Sequence, residues 1–126
     1  MLTAVNPASV FKAPFYSQGI VATGSDRTLY VSGQVGVGAD GATPPDIGGQ
    51  TRQAIANLNA VLTEAGMSAA NIAKLTIYLT EASFIPGFSE AAQGKLPAVP
   101  PATTLLIVKE LASPSLLVEI EAIAVA

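Results

Sequence analysis

Two glutamates one residue apart, Glu119 and Glu121, stand in the branched apolar run Leu116-Leu117-Val118-Glu119-Ile120-Glu121-Ala122-Ile123-Ala124-Val125. Alternate residues of an extended strand share a face, so both carboxylates project with Leu117, Ile123 and Val125 while Leu116, Val118, Ile120, Ala122 and Ala124 project oppositely. Two readings stay open: an edge strand whose acids are solvated, or a partly desolvated carboxylate at an oligomer cleft that exchanges protons with a water.

Tyr16-Ser17-Gln18-Gly19 and Val31-Ser32-Gly33-Gln34 set hydroxyls beside glycines, which let a ligand approach the backbone. The chain has neither histidine nor cysteine. Ser17 and Ser32 therefore lack the usual base, and nucleophilic catalysis by serine is not expected. They serve either as hydrogen-bond donors to a small ligand or as structural caps. Without thiols or imidazoles there is no disulfide framework and no Cys- or His-ligated metal, so no metal or cofactor is expected.

Composition narrows the partners. The 126 residues, free of low-complexity stretches, predict a single domain over 1–126. Six basic residues are scattered among nine acids at net charge −3, a poor surface for nucleic acid. Only 12% of residues are charged while 50% are hydrophobic, which predicts apolar surface hidden by self-association. No window approaches the roughly 20 apolar residues of a membrane span. The first residues lack a basic region followed by an apolar run, so a cytoplasmic location is expected.

The elements that must position these groups follow from periodicity. Gly19–Ala22 and Thr28–Gly33 read as short strands of a hairpin or meander, and 35–45 as a glycine- and proline-rich loop. Gly36-Val37-Gly38-Ala39-Asp40-Gly41 matches a dinucleotide pattern, but Thr43-Pro44-Pro45 follows it, so no phosphate-cradling helix can begin there. Ile47–Ala65 reads as a helix with Asp46 at its N-cap and Gly66 past its end, its stripe running Ile47, Thr51, Ile55, Leu58, Leu62, Ala65. In the strand Lys74–Leu79, Leu75, Ile77 and Leu79 face one way, Lys74, Thr76 and Tyr78 the other. A second helix is expected over Ser83–Gln93, interrupted by Pro86 and Gly87. Strands Thr103–Val108 and Leu116–Val125 are expected to pair with each other. The order ββαβαββ predicts an α+β domain, a mixed sheet with two helices on one face and an apolar bare face opposite.

Five of these segments fall in the order and spacing of one family: Tyr16-Ser17-Gln18-Gly19, Val31-Ser32-Gly33-Gln34, Gln50-Thr51-Arg52-Gln53 with Asn57-Leu58, Lys74-Leu75-Thr76, and Glu119 to Ala124. With Pro100-Pro101-Ala102-Thr103-Thr104 they make the chain resemble, over nearly its whole length, the RidA (YjgF) family of reactive-enamine deaminases. The resemblance implies a chorismate-mutase-like subunit, a homotrimer with sheets lining a central barrel, and small-molecule ligand sites between subunits. It implies cofactor-free hydrolysis of enamines or imines to ammonia and a 2-oxo acid. Tyr16 and Ser32, with Gly33 beside it, match ligand-contacting positions, and Glu119 matches the acid that handles the attacking water.

Thr103 stands where the family carries the arginine that holds the substrate carboxylate. A threonine hydroxyl cannot reproduce a bidentate guanidinium–carboxylate pair, and Lys109, six residues on and roughly 20 Å away, cannot replace it from its own strand. Phe88 and Ala91 replace the family's Asn and aromatic residues, implying a less polar pocket. The ligand expected is therefore small and neutral or weakly polar, contacted by Tyr16, Ser32, Gly33, Phe88 and Thr103, with Glu119 transferring the proton. The family's imine deaminase and a non-enzymatic interaction trimer are the alternatives. Endoribonuclease activity, sometimes attributed to relatives, fits badly with scattered lysines and no histidine.

Overall fold

The computed structural model describes residues 1–95, 97 and 99–126. Its elements are β1 (Leu2–Val5), β2 (Gly19–Ala22), β3 (Thr28–Val35), α1 (Ile47–Glu64), β4 (Ile72–Leu79), α2 (Ile85–Ala92), β5 (Ala102–Ile107) and β6 (Val118–Val125). The main sheet has the order β3-β6-β4-β5, with β4 and β5 parallel and the other pairs antiparallel.

Three expectations are corrected. The additional strand β1 forms a separate antiparallel ribbon with β2, so β2 and β3 are not a hairpin. β5 and β6 do not pair; β6 lies between β3 and β4. The β4–α2–β5 crossover sets β5 parallel on one edge of β4, leaving the other edge to β6. The carboxylates of β6 therefore sit on an inner strand, not an edge.

α1 begins where Asp46 Oδ2 accepts from Gly49 N at 2.9 Å and ends before Gly66, whose φ of 72° needs no side chain. Its buried face is Gln50, Thr51, Ala54, Leu58 and Leu62, so two polar residues lie on the stripe. α2 is shorter than expected because Ala82–Phe84 forms a 3₁₀ turn ahead of it, and Pro86 falls in its first turn, where the missing N–H has no partner to lose.

Leu75, Ile77 and Leu79 of β4 and Val118, Ile120, Ala122 and Ala124 of β6 meet Ala54, Leu58 and Leu62 of α1 and Phe88 of α2 in one core. α1 packs on β3 and β6, and α2 packs on α1. β5 is left out. Leu105, Leu106 and Ile107 are 36%, 45% and 46% exposed, and because consecutive residues alternate faces, neither face of this strand is covered. The sheet face away from the helices is mixed rather than wholly apolar as expected: Lys74, Thr76, Tyr78, Glu119 and Glu121 share it with Tyr30, Ile123, Val125 and Leu106. β5 adds uncovered apolar surface on both of its faces. No helix among the described residues is long and apolar enough to cross a membrane.

Candidate functional site

The pairing of β3 with β6 slips between Val31, opposite Ala122, and Gln34, opposite Ile120, so Ser32 and Gly33 together face Glu121. This is a β-bulge, which bends a strand and re-aims side chains. The bulge makes room for Glu119. A Cβ built on Gly33 would stand 2.6 Å from Glu119 Cδ and 2.9 Å from its Cγ, so the carboxylate can occupy its place only over a glycine. Ser32 and Gly33 are exposed beside it.

The second acid is engaged. Tyr78 Oη donates to Glu121 Oε1 at 2.5 Å. That hydrogen bond, half-burial and the negative charges of Glu121 and Glu119 push the phenol above its ordinary value. Among the described residues no hydrogen bond reaches the Glu119 carboxylate, which leaves its acceptor sites open to water or ligand. The sequence signal for Tyr78 is its alternation with Thr76, which sets the two on one side of β4; the pairing with β6 makes that the side of both acids.

Tyr16 and Thr103 form a separate group. Ser17 bridges to Ala102, donates its N–H to Pro101 O at 3.2 Å and its hydroxyl to Pro100 O at 2.6 Å. Ser17 is only 3% exposed and so is the structural cap of the two readings. It fixes half-buried Tyr16 next to the start of β5, where Thr103 Oγ1 donates to Pro101 O at 3.1 Å.

Within one chain these groups do not meet. Thr103 pairs with Leu75, whose side chain faces the helices, whereas Glu119 pairs with Tyr78 on the opposite face. Two strand spacings across and three residues along put Thr103 and Glu119 about 14 Å apart. Lys74 comes nearest in register but points away from Thr103, its Nζ donating to Thr104 Oγ1 at 2.7 Å. Arg27 is spent on Ala65 O at the end of α1. A shallow depression of about 210 Å³ bordered by Tyr30, Lys74, Thr76 and Glu121 reaches neither Glu119 nor Thr103.

Phe88, expected to touch ligand, is 8% exposed and packs in the core, because Phe88 and Ala91 make the buried face of α2. Among the described residues no cluster of three or more His, Cys, Asp or Glu could hold a metal ion.

Fold and site geometry define an α+β subunit with an open sheet face of mixed polarity, a carboxylate seated over a glycine bulge and an uncovered edge strand. A family model described as Endoribonuclease L-PSP matches residues 8–126. The chain belongs to this family, the RidA (YjgF) family. It is 35% identical over 124 residues to "Protein mmf1, mitochondrial" of Schizosaccharomyces pombe, covering 97% of this chain and 75% of that protein. It is 34% identical over 100 residues to the 2-iminobutanoate/2-iminopropanoate deaminase of Rattus norvegicus, covering 71% of each. The crystal structure of a Rid-family protein of unknown function, YyfB of Yersinia pestis, superposes with a TM-score of 0.89 at 30% identity, covering 99% of this chain and 98% of that one.

Proposed function

We propose that the chain assembles as a homotrimer with ligand sites between neighbours, Ser32, Gly33 and Glu119 coming from one subunit and Tyr16 and Thr103 from the next. The site binds and hydrolyses a small neutral or weakly polar C–N compound without a cofactor. The observation that carries this reading is the placement of Thr103 and Glu119 on opposite faces of one sheet, about 14 Å apart, so that only two copies can bring them to one ligand. The exposed apolar edge of β5 supports the assembly, since an uncovered strand edge invites pairing or burial by another chain.

Glu119 is the acid fitted for proton transfer, because Tyr78 occupies Glu121. It takes a proton from a water as the water oxygen bonds to the carbon of a C=N group. The nitrogen gains that proton to give a carbinolamine; Glu119 then takes the proton of the new hydroxyl and passes it to the amine as the C–N bond breaks, so that ammonia leaves behind a carbonyl. Thr103 and Tyr16 orient the ligand by hydrogen bonds. A threonine offers no charge for a carboxylate, so the ligand need not be anionic. Turnover lost in Glu119→Gln with the trimer intact supports this role; unchanged turnover and ligand affinity contradict it.

A second reading is favoured by the activity for which the rat relative is named: hydrolysis of 2-iminobutanoate and 2-iminopropanoate, here without the arginine. Ammonia release from either imine, generated in place by a dehydratase, tests it, and a rate equal to the enzyme-free control excludes it. The same null result across other imines, with an intact trimer, would leave a non-enzymatic interaction protein.

A further inference from the structure

We propose that Gln50 and Asn57, two amide side chains of α1, are positioning residues that hold Glu119 over the Gly33 bulge. The inference deepens the proposed function and rests on its assignment of Glu119. Gln50 is fully buried, where an amide persists only if its polar atoms are satisfied. Its Nε2 donates to Pro44 O and Ser115 O, both at 2.9 Å, and its Oε1 accepts from Leu117 N at 2.8 Å. It thereby fixes the backbone two residues before Glu119.

Asn57 does the same for the facing strand. Its Nδ2 donates to Val35 O at 3.0 Å and to Val37 O at 2.9 Å, and its Oδ1 accepts from Gln53 Nε2 at 2.8 Å. Val35 is the register partner of Glu119. Two register pairs beyond the bulge, where the β3–β6 ladder ends, the backbone of each strand is thus held by an amide of a single helix. The helix can approach so closely because Gly36 has no side chain: a Cβ there would stand 2.6 Å from Gln50 Cα. The rest of each strand stays paired, so loss of these amides releases the ladder's end alone, where Val35 faces Glu119, and shifts the carboxylate from its seat over Gly33.

This geometry separates a positioning role from mere packing. An apolar residue of equal volume could fill the space at Gln50, yet it could not set the height of Leu117 against Val35. Displacement of a reacting group by about 1 Å can cost on the order of 100-fold in rate, so the effect falls on turnover more than on ligand affinity.

The test compares Asn57→Ala, whose site is only partly buried, with Gln50→Asn, which is one methylene too short to span Ser115 and Leu117. Each variant's crystal structure is determined, and ammonia release from 2-iminobutanoate is followed. Expected is a folded protein with Glu119 shifted by about 1 Å or more from Gly33, and kcat lower by about 10- to 100-fold with KM nearly unchanged. A carboxylate still seated over Gly33, with only the melting temperature lowered, overturns the proposal. Should Gln50→Asn fail to fold, Asn57→Ala alone decides. If the wild-type protein releases no ammonia from any imine, the reaction reading fails, while the crystallographic comparison still decides this proposal.

Discussion

The carboxylate of Glu119 rests against the Cα of Gly33 on the neighbouring strand, where the bulge Ser32–Gly33 sets two residues opposite one. Glycine is required there by closeness, not by backbone dihedral, since Gly33 is absent from the positive-φ glycines. Gly33→Ala is expected to keep the fold and assembly while displacing Glu119, lowering turnover by about 10- to 100-fold. Steady-state kinetics on the purified variant, with sedimentation to check its mass, measure this; activity equal to wild type would show that the acid has another productive position.

Part of this arrangement is legible in the sequence, and the division has physical causes. The alternation in Lys74–Leu79 and Val118–Val125 reports burial on one face, so the faces of Tyr78, Glu119 and Glu121 follow directly. Asp46 and Gly66 mark α1 by local capping chemistry. Which strands are neighbours is not written locally: β5 and β6 have compatible patterns, yet the crossover through α2 commits β5 to β4. Gln50 and Asn57 carry part of the family resemblance, but a polar residue's place on a helix does not say what it bonds. Only the tertiary partners Leu117 and Val35 give them a role. The family position of Phe88 suggests a ligand contact, whereas its burial follows from its own helix face.

Tyr78 makes a pH prediction with a definite sign. Its hydrogen bond to Glu121, its half-burial and the adjacent acid charges raise the phenol above 10.0. A value raised by folding means the protonated form is favoured in the native state, so this stabilisation is present in full below pH 10.0 and is lost as pH climbs through the raised value. In Glu121→Gln the phenolate absorbance titration moves back toward the ordinary range and the alkaline fall in melting temperature becomes shallower. A titration overlaying that of wild type would contradict the pairing.

Leu106 tests the uncovered strand. It is 45% exposed and pairs in register with Tyr78, on the face away from the helices. Leu106→Glu is expected to leave the chain folded but bring the sedimentation mass down to one subunit, because a charge in an apolar interface is costly to desolvate. A wild-type protein already monomeric at micromolar concentration would sink the assembly.

Thr103 tests the ligand class. Thr103→Arg introduces a guanidinium where the family binds the substrate carboxylate, and it is expected to raise kcat/KM for 2-iminobutanoate by about tenfold or more, the scale of a charge-assisted bidentate pair. Thr103→Ala is expected to change that same rate little. Loss of activity toward 2-iminobutanoate in Thr103→Ala would instead make the native hydroxyl the carboxylate's partner.

In the proposed assembly Thr103 and Glu119 serve one ligand only by coming from different subunits. The most direct measurement is the distance from Thr103 of one subunit to Glu119 of its neighbour in a crystal structure of the assembled protein. Both are expected to face a common cleft, closer together than the roughly 14 Å that separates them within a chain. An assembly in which that distance is no shorter, or in which Glu119 opens onto no neighbouring subunit, would contradict it.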